Sequence, residues 1–129
     1  MSKLEFVENK FIYWEFIRCL RNDERVKSGF IQQEHIKSDS HLTFMHKYGI
    51  NYYICLCDGN PAGYIGVIDR DIRIATHPDF QGKGVGTFLV NQLMERHPDS
   101  FAKVKISNEA SLGLFEKCGF KRKYIILER

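Results

Sequence analysis

Long apolar runs are missing from this chain. No stretch approaches the ~20 residues needed to cross a bilayer, so no membrane partner is expected, and Met1-Ser2-Lys3-Leu4-Glu5 does not build a signal peptide. Blocks of charge are missing too. Lys and Arg number 19 against 16 for Asp and Glu, with no run of five basic residues, which argues against a nucleic-acid surface. The net charge of +3 still favours an anionic ligand. The four cysteines, Cys19, Cys55, Cys57 and Cys118, lack zinc-ligand spacing, and Cys55 and Cys57 are read as facing opposite sides of a strand. A domain with its own core needs no disulfide staples, so free thiols, no bound metal and a cytoplasmic location are expected. Repeats and low-complexity tracts are absent. The 129 residues read as a single domain, 1–129, leaving no room for a two-domain dehydrogenase or kinase or for a full barrel enzyme. With 43% hydrophobic and 27% charged residues the composition is globular, which excludes wholesale disorder.

What is present has a readable order. Residues 4–7 form a strand candidate, and 11–20 carry a partial helical stripe that breaks at Arg21-Asn22-Asp23, where Asn22 or Asp23 caps a further turn. Residues 40–48 read as a helix closed by Gly49. His35, His41 and His46 fall in this region, and a solvated face is the default for each. A hairpin follows, 51–57 and 62–68 around Asp58-Gly59-Asn60, then a tight link at Asp69-Arg70 and a strand at 71–76. His77-Pro78-Asp79-Phe80 breaks it. A helix at 85–96 ends at His97-Pro98, a strand candidate alternates over 101–106, a helix capped by Ser107-Asn108 spans 109–118, and a last strand candidate covers 120–127. The order implies a mixed-sheet α/β (α+β) domain.

The sharpest local feature is Gln81-Gly82-Lys83-Gly84-Val85-Gly86 between a strand and a helix. Its glycines let the backbone turn tightly and expose successive N–H groups, while the helix start adds unsatisfied donors and partial positive charge. Together these make an anion site suited to phosphate or pyrophosphate, with Lys83 at its rim. The spacing is not that of a P-loop, and position 87 is Thr rather than the third glycine of a dinucleotide fingerprint.

This segment resembles the acyl-CoA-binding motif of the GCN5-related N-acetyltransferase superfamily, with Gln81, Gly84 and Gly86 on its key positions and Pro78 where the family often has a proline. Downstream, Asn108, Ser111, Leu114, Phe115, Glu116, Lys117, Gly119 and Phe120 resemble the family's second motif. The resemblance covers residues 50–127 well and the N-terminal third more loosely. It implies the acyl-CoA N-acyltransferase fold, a mixed central sheet with a splayed strand pair, and acetyl-CoA as co-substrate. Backbone groups of Gly82, Lys83, Gly84, Val85, Gly86 and Thr87 would bind the pyrophosphate. The strand edge at Ile74, Ala75 and Thr76 would pair with the pantetheine arm between the strands 71–76 and 101–106, and Asn108 would touch the arm. Phe115 stands where the family often has a tyrosine that protonates the leaving thiolate; phenylalanine has no proton to give, so another group supplies it or the thiolate leaves unaided.

Acetyl transfer requires a deprotonated amine. Asp71 or Asp69, near the start of the strand entering the cleft, are the candidate bases, with Glu34 and His35 as acceptor-side alternatives and His77 as a further candidate; a carboxylate in a tight link equally often caps a turn. Tyr64 and Tyr52 either point into the cleft or pack. A finer resemblance joins Leu20-Arg21-Asn22-Asp23, Val26, Ile31 and Glu34-His35 to acetyltransferases that modify amino groups of nucleotide-linked sugars. It implies that Arg21 and Asn22 begin the substrate side, with Arg18, Arg21, Arg25 or Lys27 meeting two phosphates. A protein N-terminus, a polyamine or another small amine is the alternative acceptor. A non-catalytic acyl-CoA-binding or interaction domain is the alternative to an enzyme. The late strand and free sheet edges permit a homodimer.

Overall fold

Alternating side chains and left-handed turn residues build the central sheet. The computed structural model describes residues 2–129. Strands β1 (Leu4–Glu8), β2 (Tyr52–Cys57), β3 (Asn60–Ile68), β4 (Asp71–Thr76) and β5 (Phe101–Ala102) lie in that spatial order, and only β5 runs parallel to its neighbour. Asp58 and Gly59 (φ 51° and 84°) close the β2–β3 hairpin, and Asp69 and Arg70 (φ 53° and 67°) close β3–β4. Two positive-φ residues in succession give the turn twist that antiparallel strands accept.

Each face of the sheet carries its own core. One face presents Cys55, Ile65 and Ile72 to Val85, Leu89, Val90 and Leu93 of α4 (Val85–Arg96) and to Phe115 of α5 (Glu109–Lys117). The other presents Tyr52, Ile54, Tyr64 and Ala75 to Ile17 and Leu20 of α1 (Phe11–Asn22) and Met45 of α3 (Ser38–Tyr48). The short α2 (Glu24–Lys27) is capped by Asp23, whose carboxylate accepts from the Arg25 amide at 2.9 Å. Hydrogen bonds from Arg25 hold that carboxyl down to about 2.

Several expectations need correction. Cys55 and Cys57 enter the same core cluster, because strand residues two apart share a face. His41 is buried, not solvated; its Nε2–H donates to the Trp14 carbonyl at 2.8 Å, and burial pushes its pKa down. The strand foreseen over 101–106 keeps only Phe101–Ala102. Beyond it the chain is tied instead to the segment after α2, with Lys105 Nζ donating to Ser28 O at 3.3 Å and Asn108 Nδ2 to Gly29 O at 3.1 Å. Residues 120–127 form no strand, and Tyr124, Ile125, Ile126 and Leu127 are exposed. Neither the alternation of 101–106 nor the apolar end of 120–127 makes a strand where no ladder partner lies alongside. No helix of the described residues is long and apolar enough to cross a membrane.

Candidate functional site

β4 and β5 pair only through Asp71–Phe101 and Ile72–Ala102. Past those two rungs the strands separate, and among the described residues Arg73–Thr76 keep β3 on one side and no strand on the other. The opening is a cleft of about 800 Å³. β4, the turn after it, the start of α4, and Val104, Asn108 and Leu114 all contribute to its lining.

The glycines of the turn do different jobs. Gly82 and Gly84 both sit at φ 78°, and nothing lies within 4 Å of where a Cβ would be. Their role is conformational: the left-handed backbone that L side chains resist, with open space in front. Gly86 has no such requirement. A Cβ there would stand 3.1 Å from Leu114 Cδ2, so this glycine lets α4 and α5 approach. Gly84 is the N-cap of the twelve-residue α4 and offers no side-chain cap, which leaves the first-turn amides for an external acceptor. Gln81, Gly82, Gly84, Val85, Gly86 and Thr87 all line the cleft, as do Ile74, Ala75 and Thr76. Lys83 is exposed and outside the lining.

Asn108 lines the cleft but is committed locally. Its Oδ1 caps α5 by accepting from the Ser111 amide at 3.1 Å, and its Nδ2 donates to Gly29 O. Phe115 is buried at the cleft and stacks edge-on against Phe120 with centroids 5.1 Å apart. Tyr64 also lines it; burial raises its phenol pKa, with the Arg21 charge opposing, so the phenol keeps its proton at neutral pH. Asp71 lines the cleft beside the first rung, 3.6 Å from Lys103 Nζ.

The other candidates lie elsewhere. Asp69 is an exposed turn residue outside the cleft. Glu34 and His35 are exposed and line a separate cleft of about 450 Å³ with Ser40 and His41; Arg21 borders both clefts. Asn22 uses both ends of its amide on Ile36, donating to its carbonyl at 2.9 Å and accepting from its amide at 2.8 Å. Arg18 is bound to Glu15 and to Ile36 O, and Arg25 to Asp23 with Asp79 at 3.9 Å. His77 Nδ1 accepts from the Asp79 amide at 3.1 Å. Tyr52 packs in the core and does not line the cleft. Arg73, absent from the sequence-based candidates, lines it. The signal available was a cation in mid-strand among apolar neighbours.

A mixed sheet splayed after two parallel rungs, with a glycine turn feeding a helix at the mouth of the splay, is the acyl-CoA N-acyltransferase fold. The family model described as the acetyltransferase (GNAT) family matches residues 10–120; the chain belongs to that family. It is 23% identical over 92 residues to an uncharacterized N-acetyltransferase of Methanocaldococcus jannaschii, covering 58% of this chain and 41% of that protein. The chain therefore spans less than half the length of this relative. Among solved structures, a domain from Methanocaldococcus jannaschii superposes with TM-score 0.82 and 22% identity over 95% of this chain and 91% of its own. Spermidine N-acetyltransferase from Vibrio cholerae, in complex with CoA and spermine, superposes with TM-score 0.80 and 20% identity over 98% and 85%.

Proposed function

We propose that this protein is an acetyl-CoA-dependent N-acetyltransferase that moves an acetyl group to the primary amine of a small molecule. The observation carrying this reading is the unpaired edge of Arg73–Thr76 running into the left-handed Gly82–Gly84 turn. Such an edge accepts an amide-bearing chain as a strand is accepted, and the turn with the start of α4 accepts a pyrophosphate. The open space at Gly82 and Gly84 fits that group. Ile74, Ala75 and Thr76 would hold the arm, and residues 82–87 the phosphates. When bound, acetyl-CoA supplies an activated thioester acyl group.

The chain's own residues then have three tasks. Asp71, inside the cleft, is the candidate to take the amine proton; Asp69 and Glu34 stand outside it. Backbone donors along the β4 edge and Asn108 position the donor. Phe115 gives no proton, and burial makes the cleft-lining Tyr64 phenol a hydrogen-bond donor rather than a proton source, so the thiolate leaves without a dedicated acid. The CoA and spermine bound by the Vibrio cholerae enzyme support CoA as the donor and a small amine as the acceptor class. A nucleotide-linked amino sugar has support only from residues 20–35, where Arg18 and Asn22 are engaged with Ile36.

Free thiol is the readout. Acetyl-CoA incubated with the protein and a panel of primary amines should release thiol in proportion to an added acceptor. Saturable acetyl-CoA binding without release across the panel would leave a non-catalytic acyl-CoA-binding domain, the reading that Phe115 favours.

A further inference from the structure

We infer that the acceptor is an amine that also carries an anionic group, a carboxylate or a phosphate, and that Arg21 and Arg73 grip it. The inference rests on the acetyl-transfer reading above and narrows its acceptor.

The cleft lining holds four basic residues, Arg21, Arg25, Arg73 and Lys103, and one acidic residue, Asp71. Two of the cations are answered locally: Arg25 by Asp23 at 2.7 Å and Lys103 by Asp71 at 3.6 Å. Arg21 and Arg73 form no ion pair among the described residues. Both are half-buried. A guanidinium withdrawn from water without a counter-ion is unfavourable, and two facing one cleft repel each other as well. An anion between them relieves both, and the planar fork matches carboxylate and phosphate alike.

The sheet shows how Arg73 is placed. Tyr52, Gly66 and Arg73 are successive partners across β2, β3 and β4 and share a face. Gly66 has no side chain, and a Cβ there would stand 2.6 Å from the Tyr52 ring, so the ring lies over that gap toward Arg73. The Tyr52 hydroxyl is buried, with the Arg73 guanidinium within reach of it. The Arg73 and Arg21 charges are near enough to oppose the upward push of burial on its pKa. Arg73 thus has a neutral phenol beside it and, among the described residues, no carboxylate to balance its charge.

This site is distinct from the phosphate turn. Arg73 shares the α1–α3 face with Tyr52 and Tyr64, while the turn leads into α4 on the opposite face. It also lies three residues, about 10 Å, before Thr76 at the end of β4. A polyamine brings only positive charge to such a site.

The test uses amines matched except for the anion: glycine against glycinamide, O-phosphoethanolamine against ethanolamine, and spermidine, each measured by thiol release and by direct binding to the CoA-loaded protein. The anionic member of at least one pair should win by tenfold or more in kcat/KM and in affinity, and the pair that wins separates carboxylate from phosphate. Arg73→Gln and Arg21→Gln should each erase that preference through KM while acetyl-CoA affinity stays within twofold, and Arg73→Lys should keep part of it. Equal use of neutral and anionic amines by the wild type, preference for spermidine, or loss of acetyl-CoA affinity in place of acceptor preference would overturn the inference. Anion-selective binding without thiol release would overturn acetyl transfer alone and leave the anion site standing.

Discussion

The two sides of the cleft are built from different material. The side that leads into α4 is made of backbone: the unpaired edge of Arg73–Thr76, two glycines at φ 78°, and the first amides of a helix whose N-cap has no side chain. The side toward α1 is made of side chains, with Arg21, Tyr64, Asp71 and Arg73 brought together from one helix and two strands. A backbone site survives most side-chain changes, provided its dihedral angles are kept. A side-chain site is re-specified by one substitution.

Substitutions can break the two sides together or one at a time. The largest effect is expected from Leu89→Ala. Leu89 is fully buried between α4 and the sheet, and its truncation should cost about 2–5 kcal/mol of stability, read as a lower urea midpoint, and weaken both sides together. Gly66→Ala comes next. The 2.6 Å encounter with Tyr52 must be relieved, at about 1–3 kcal/mol, and the damage should fall on acceptor turnover with acetyl-CoA affinity kept. Equal loss of both would erase the proposed separation. Gly84→Val puts a β-branched residue at φ 78° and should weaken CoA at least tenfold, about 1.4 kcal/mol, with acceptor selectivity intact. Unchanged CoA affinity in a folded Gly84→Val protein would remove the turn from the donor site.

The smallest effect is a pH slope. Burial holds the His41 pKa below its ordinary value. Below about pH 6.5 the unfolded chain binds a proton that native His41 still refuses, so this contribution to stability is present above that pH and fades as pH falls. Melting temperature measured from pH 7.5 to 5.5 should drop less in His41→Asn than in the wild type, and CoA affinity should be indifferent to that change.

The same division explains what could be read along the chain. Turn residues and local periodicity placed β1 to β4, α4 and α5 near their observed bounds, and the glycine turn carried its conformational demand in its own residues. Pairing across sequence distance was not readable. The alternation at 101–106 says nothing of Ser28 and Gly29, which draw Lys105 and Asn108 away from β4. Residues 120–127 read as a strand, but whether a partner edge lies beside them is a tertiary fact. Asn22 looked available until its amide met Ile36, fourteen positions on. Arg73 was invisible as a site residue because its meaning depends on Gly66 and Tyr52 across two strands.

The two-rung pairing of β5 has a thermodynamic corollary. A sheet that stops short holds part of its ladder in reserve, and a ligand that completes it binds the native state while having nothing comparable to grip in the unfolded chain. The folding equilibrium then becomes a gauge of donor supply. At a hundredfold excess over Kd, the ligand adds about 2.7 kcal/mol to stability, so the resistance of this small domain to heat and proteolysis should rise and fall with the concentration of the acetyl-CoA proposed as its donor.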